Sequence, residues 1–172
     1  MSTYWTKPRI VFAVWAAVEL IGWLTTHLFF MDPRANWLWL VLSVIAFVPM
    51  VRYMPWKNRK LRKILLLWVI VVAAGMAVSF LAFVVPALGI VAAYLGVFWL
   101  LLMGVAFLIN ALWWTPELFL IGGAVQIVAA LVPLAVGSLL YYQYLIAAIA
   151  GTGAMLILLP NRRLRKPSRS AA

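Results

Sequence analysis

Long apolar stretches, each about as long as a membrane is thick, alternate in this chain with short breaks of proline, glycine and charge. An α-helix that crosses the hydrocarbon core needs about 20 apolar residues. Six stretches approach or meet that length: Ile10 to Met31, Trp37 to Met54, Leu61 to Val85, Leu88 to Leu112, Pro116 to Val136 and Leu140 to Leu159. The first stops at Asp32-Pro33 and the second at Pro55 and the basic loop Lys57-Asn58-Arg59-Lys60. The third ends at Pro86 and the sixth at Pro160. Thr115-Pro116-Glu117 reads as a helix start, with an N-cap hydroxyl, a proline at the first helical position and an acid in the first turn. Gly137-Ser138 divides the last two stretches least sharply.

Charge supplies an orientation. Thirteen of the fourteen Lys and Arg residues lie at Lys7/Arg9, from Arg52 to Lys63, or from Arg162 to Arg169, and only Arg34 lies elsewhere. Positive charge stays on the cytoplasmic side of membrane spans. The loop around Arg59 and the C-terminal tail therefore share a side, which requires an even number of spans between them. The expected fold is all-α: one domain over residues 1–172, an integral bundle of six transmembrane helices with both termini cytoplasmic. Its hairpins cover about 10–54, 61–112 and 115–159, and residues 160–172 form a basic tail. Trp37, Trp39, Trp113, Trp114, Tyr141, Tyr142 and Tyr144 fall near span ends, as an aromatic belt requires. The first apolar run is too long for a cleaved signal peptide and is read as a retained span. The expected location is the cell membrane.

The odd-numbered spans share a pattern. Gly22, Gly75 and Gly122 each precede a proline (Pro33, Pro86 and Pro133) by eleven residues. Seven before each proline stands Thr26, Ser79 or Gln126, and Trp15 and Trp68 stand eighteen before the first two. Gly104 and Gly151 each follow a proline by eighteen. The pattern suggests three hairpins of about 50 residues. Glycine lets a neighbouring backbone approach, and proline ends or kinks a helix. Gly22, Gly75, Gly122, Gly104 and Gly151 are therefore the expected packing positions. The pairs Ala13/Ala17, Ala147/Gly151 and Ala150/Ala154 mark further close contacts, within the bundle or between copies.

Three such hairpins in a basic-tailed six-span chain resemble the acid-resistance membrane protein family (HdeD-like), whose hairpins are marked by Gly in the spans and Pro at the bend. The stretch from Ala74 to Asn110, through Gly75, Pro86, Gly96 and Gly104, carries the resemblance best. The first hairpin departs from it, with Ser43 and no Gly in its return span. The resemblance implies a non-enzymatic membrane protein linked to envelope stress.

Composition narrows the chemistry. With 68% hydrophobic and 10% charged residues and a mean hydropathy of +1.11, the chain has far less charge than the ~25% of soluble domains. The net charge of +11 sits where the positive-inside rule puts it, so anionic lipid headgroups on the cytoplasmic leaflet are the expected partner, not nucleic acid. A homo-oligomer or a larger membrane complex is also open. There is no Cys, which excludes disulfides and thiolate chemistry. One His and three scattered acids offer neither a metal cluster nor a carboxylate pair. The expectation is no enzyme and no cofactor.

Glu19 is the outlier. It lies near the centre of the first span, where an acid costs roughly 2.5 kcal/mol or more, so it should face the bundle. Gln126, at similar depth in the fifth span, is its expected partner. Trp15, Glu19, Trp23 and His27 recur at four-residue steps and form one stripe. Two readings follow: a proton- or cation-responsive site with His27 near the outer mouth, or a neutral Glu19 bonded within the core and an interfacial His27. Asn110 is expected to bond a neighbouring helix. The functional readings are a structural or stress-related protein, a small transporter or its substrate-binding subunit with a polar site near Glu19, and an accessory subunit of a larger complex.

Overall fold

The structure is a computed structural model that describes residues 6–29, 32–53, 57–113 and 116–159. The proposed N-cap Thr115, the belt residue Trp114 and the basic tail lie outside the described residues. Among the described residues the chain is helical with no strand. The helices are α1 (Thr6–Phe29), α2 (Arg34–Tyr53), α3 (Arg59–Ala82), α4 (Gly89–Ala93), α5 (Leu95–Ala111), α6 (Pro116–Ala135) and α7 (Gln143–Ile157). Short 3-10 turns at Pro86–Leu88 and Gly137–Tyr142 lead into α4 and α7. Five segments are long and apolar enough to cross a membrane, and a sixth is formed if the bent pair Pro86–Ala93 and Leu95–Ala111 counts as one span.

The helices close into a ring. Each packs on its neighbour in the order α1, α2, α3, α5, α6, α7, and α7 returns to α1. The α5–α6 and α1–α7 contacts are the most extensive. The outer faces carry Ile21, Val44, Ile70, Ile90, Val128 and Ile149, all more than half exposed. Such faces suit lipid, where an apolar surface needs no cover.

Because lipid is as apolar as leucine, close fit and hydrogen bonds must hold the helices together. The glycines provide the fit. A Cβ built on Gly22 would lie 2.6 Å from the Trp39 ring, and one on Gly75 would lie 2.5 Å from the Trp99 ring. In both places an indole from the return helix fills the space left by the missing side chain. The hydroxyl one turn further on completes each joint. Thr26 donates to the Gly22 carbonyl at 2.8 Å and accepts from Trp39 Nε1 at 3.1 Å. Ser79 donates to the Gly75 carbonyl at 2.8 Å and accepts from Trp99 Nε1 at 2.9 Å. Thus α1 is joined to α2, and α3 to α5, by the same construction. Asn36 Nδ2 donates to the Ser79 carbonyl at 3.2 Å and ties α2 to α3.

Gly122 meets the Phe107 ring instead, with its built Cβ 2.7 Å away. Gly104 and Gly123 face each other across α5 and α6, each built Cβ lying 3.2 and 3.0 Å from the other's carbonyl oxygen. Ala147, Ala150, Gly151 and Ala154 are all buried along α7. Ala13 and Ala17 behave otherwise: both are exposed on the outside of α1. Among the described residues they are not part of the packed interior.

The fourth span is the main departure from the expected helices. It is not one continuous helix from Leu88 to Leu112. Pro86–Ala93 and Leu95–Ala111 meet at Tyr94 with a bend of 79°. A break inside an apolar region frees backbone groups that must find partners. Gln143, the first residue of α7, supplies them. Its Oε1 accepts from Gly96 N at 2.9 Å and Val97 N at 3.4 Å, and its Nε2 donates to the Ala93 carbonyl at 2.9 Å. Gly96 eases this close approach, since a Cβ would lie 3.1 Å from the Gln143 carbonyl oxygen. Pro133 is buried inside α6, which ends at Ala135, close to the expected Val136. The belt is narrower than expected too. Trp39 is half-buried and hydrogen-bonded, and Tyr144 is buried.

Two predictions test this packing. Gly75→Ala should overpack the joint against Trp99 and cost about 1–3 kcal/mol, lowering the thermal midpoint in detergent. Gly153→Ala, where nothing lies within 4 Å of the added Cβ, should leave that midpoint unchanged or raise it. Gln143→Leu should accelerate hydrogen exchange at Gly96 and Val97 selectively, because it removes the acceptor that both amides share.

Candidate functional site

The stripe on α1 faces the interior. Trp15, Glu19 and Trp23 are buried, and Glu19 is only 4% exposed. Every fourth position returns to nearly one face of a helix, so one turn of α1 presents both an acid and its donor. Trp23 Nε1 donates to Glu19 Oε2 at 2.7 Å. This indole, one turn away on the same helix, takes the place expected for Gln126. The same carboxylate lies against the backbone of α7. A Cβ on Gly151 would stand 2.8 Å from Glu19 Oε2. Gly151 therefore has a second role besides packing: it makes room for the acid at the seam where the first and last spans close the ring. Around Glu19 the seam is held by the stacked rings of Trp23 and Tyr144, 5.8 Å apart, and by a long bond from Thr152 Oγ1 to the Ala16 carbonyl, 3.4 Å.

Gln126 nevertheless reaches the same place. Both residues line a cavity of about 20 Å³ at the centre of the ring, together with Ser43 and the indoles of Trp15, Trp23, Trp39 and Trp99. That volume accommodates about one water molecule. Gln126 is 2% exposed, and its Nε2 has no hydrogen-bond partner among the described residues. Thr26 and Ser79, each four residues after a glycine, accept from Trp39 and Trp99. Gln126 stands four after Gly122, but α7 contains no tryptophan, so this joint is not repeated in the third hairpin. The unpartnered Nε2 beside the cavity needs an acceptor, which a water there would supply.

The other candidates lie apart from this centre. His27 is half-buried near the 3-10 turn before α7, its ring 5.6 Å from Tyr141 and 6.2 Å from Tyr142. Its Nδ1 is buried without a partner among the described residues. Asn110 is fully buried in α5, and neither of its side-chain polar atoms finds a partner among the described residues. The expected bond to a neighbouring helix is not made there. Asp32 and Arg34 form an exposed clip before α2, at 2.7 Å. The bonds from Arg34 hold the Asp32 carboxyl below its ordinary range, but an exposed pair of this kind contributes little to stability.

Sequence reasoning missed Gln143 and Ser43. A polar residue at the start of an apolar run was the available signal for Gln143. Nothing in the pattern pointed Ser43 toward Glu19. Among the described residues no group of three His, Asp or Glu side chains could hold a metal ion. Comparison with known proteins gives no match: no family model, curated protein or solved structure is significantly similar to the chain.

Glu19→Gln keeps an oxygen for Trp23 Nε1 and should be nearly silent in thermal stability. Glu19→Leu leaves that buried indole without its side-chain acceptor and should cost about 1–3 kcal/mol. Adding Trp23→Phe to Glu19→Leu should cost less than the sum of the two single changes, as a double-mutant cycle in detergent will show.

Proposed function

We propose that this chain is a non-enzymatic integral membrane protein of six spans, three pseudo-repeated hairpins and cytoplasmic termini, with a structural role in the membrane. The observation that carries the reading is how little space the centre leaves, about 20 Å³ beside Glu19. The ring is filled by aromatic and small side chains, and the space left beside Glu19 takes about one water. A path for a solute would need a larger polar opening. The matching joints Gly22–Thr26–Trp39 and Gly75–Ser79–Trp99 favour the repeat. The family resemblance adds a role in envelope stress as the physiological form of this reading.

A second reading rests on a specific observation. An acid inside a membrane is a functional candidate by default, and here it shares a cavity with the unpartnered Gln126 amide. That arrangement suits a small transporter, or a subunit of one, whose central site binds and releases a proton. Since four indoles line the cavity, tryptophan emission reports its state. Under the structural reading the emission of the reconstituted protein is constant from acid to mildly alkaline pH. A pH transition in the wild type that disappears in Glu19→Gln would replace that reading with the proton-linked one.

Topology is tested separately. Because the chain has no Cys, single cysteines can be labelled from either side. Ser168→Cys should react only from the cytoplasm and Arg34→Cys only from outside. External labelling at position 168 would remove the six-span arrangement.

A further inference from the structure

The basic end of the bundle holds a second concavity, far from Glu19. A groove of about 490 Å³ opens between the start of α3 and the end of α5, lined by Arg59, Lys63, Leu112 and Trp113. Arg59 and Lys63 are four residues apart on one helix, so their side chains share a face. Like charges at that spacing repel. Neither makes an ion pair with an acid among the described residues. An anion held between or above them would relieve that repulsion.

The opposite wall has another character. Leu112 is 79% exposed and Trp113 is 37% exposed. Both follow the last turns of α5, where a span leaves the hydrocarbon. Tryptophan prefers the headgroup level, with its ring among glycerol and carbonyl groups and its N–H free to donate. The groove thus has one cationic wall and one apolar, interfacial wall. A soluble phosphate compound would use the first and have no need of the second.

We propose that this groove binds one anionic glycerophospholipid, its phosphate between Arg59 and Lys63 and the first part of its acyl chains against Leu112 and Trp113. Basic pockets between spans at the cytoplasmic surface are the usual form of such sites. The site differs from the general attraction of a basic surface to an anionic leaflet, because it assigns the binding to two of the basic residues and to one gap between helices. It rests on the reading that this end of the bundle lies at a membrane surface.

The test uses the full-length protein in nanodiscs of phosphatidylcholine with a minor fraction of phosphatidylglycerol, followed by native mass spectrometry of the released protein. The wild type should retain phosphatidylglycerol in preference to phosphatidylcholine. The double variant Arg59→Gln/Lys63→Gln should lose most of that preference. Arg52→Gln/Lys57→Gln, which removes the same charge at the same end but outside the groove, should keep it. Trp113→Ala should weaken retention of the lipid while leaving binding of inorganic phosphate, measured in detergent, unchanged. Equal loss in both double variants would overturn the site in favour of diffuse surface charge. Inorganic phosphate competing fully with the lipid would overturn the lipid assignment. Failure of the membrane reading is distinguishable from both, since wild-type protein would then retain neither lipid.

Discussion

The structure depends on an indole seated in a glycine notch. Helices in lipid gain nothing from burying apolar surface against each other, so association must come from contact and hydrogen bonding. At Gly22 and Gly75 the missing side chain lets a tryptophan from the return helix lie directly on the backbone. Its N–H then reaches the hydroxyl one turn along, and that hydroxyl is already tied to the glycine carbonyl. Each part satisfies the next. The glycine without the tryptophan would leave a gap, the tryptophan without the hydroxyl would bury an unpaired donor, and the hydroxyl alone would only bond its own helix. The joint fixes distance, rotation and register between two helices at once, which a greasy interface would not.

The polar centre is built differently. Gln126 brings an Nε2 donor with no partner among the described residues to a space sufficient for about one water. Glu19 lies opposite the only kind of residue that admits it at that distance, a glycine. The acid, its indole donor and Gly151 are therefore one unit. Enlarging Gly151 or moving α7 displaces the carboxylate, and changing the carboxylate alters the seam that closes the ring.

Much of this was legible in the chain. The apolar runs gave the helices, because length and hydropathy decide whether a segment can cross lipid. The inward stripe of Trp15, Glu19 and Trp23 followed from helical spacing, and the glycines spaced from Pro33, Pro86 and Pro133 are among those that meet a neighbour closely. Partners were harder. Gln126 was matched to Glu19 by depth, yet depth does not fix rotation, and Trp23 was nearer on the same helix. The break at Tyr94 was invisible because hydropathy is blind to helix direction: Gly89 to Ala111 is apolar whether straight or bent. Its cause lies in Gln143, nearly fifty residues away in sequence, and no local pattern connects the two. Ala13 and Ala17 lie on the outside of α1, where only a contact between copies could use them.

Gln143 also links the two ends of the argument. A broken span is stable in lipid only if something replaces the lost backbone bonds, and here one amide does so for both sides of the break. The donor and acceptor of a single side chain are matched to a carbonyl and two N–H groups, so the bend is specified by α7. The same helix carries Gly151 against Glu19 and Ala147 and Ala154 in the core. Any displacement of α7 would thus be felt at the break, at the central acid and at the α1 seam together. A bundle coupled in this way suits a rigid scaffold while it stays closed. It also means that a change at Glu19 would act through α7 and reach the bend at Tyr94 through Gln143.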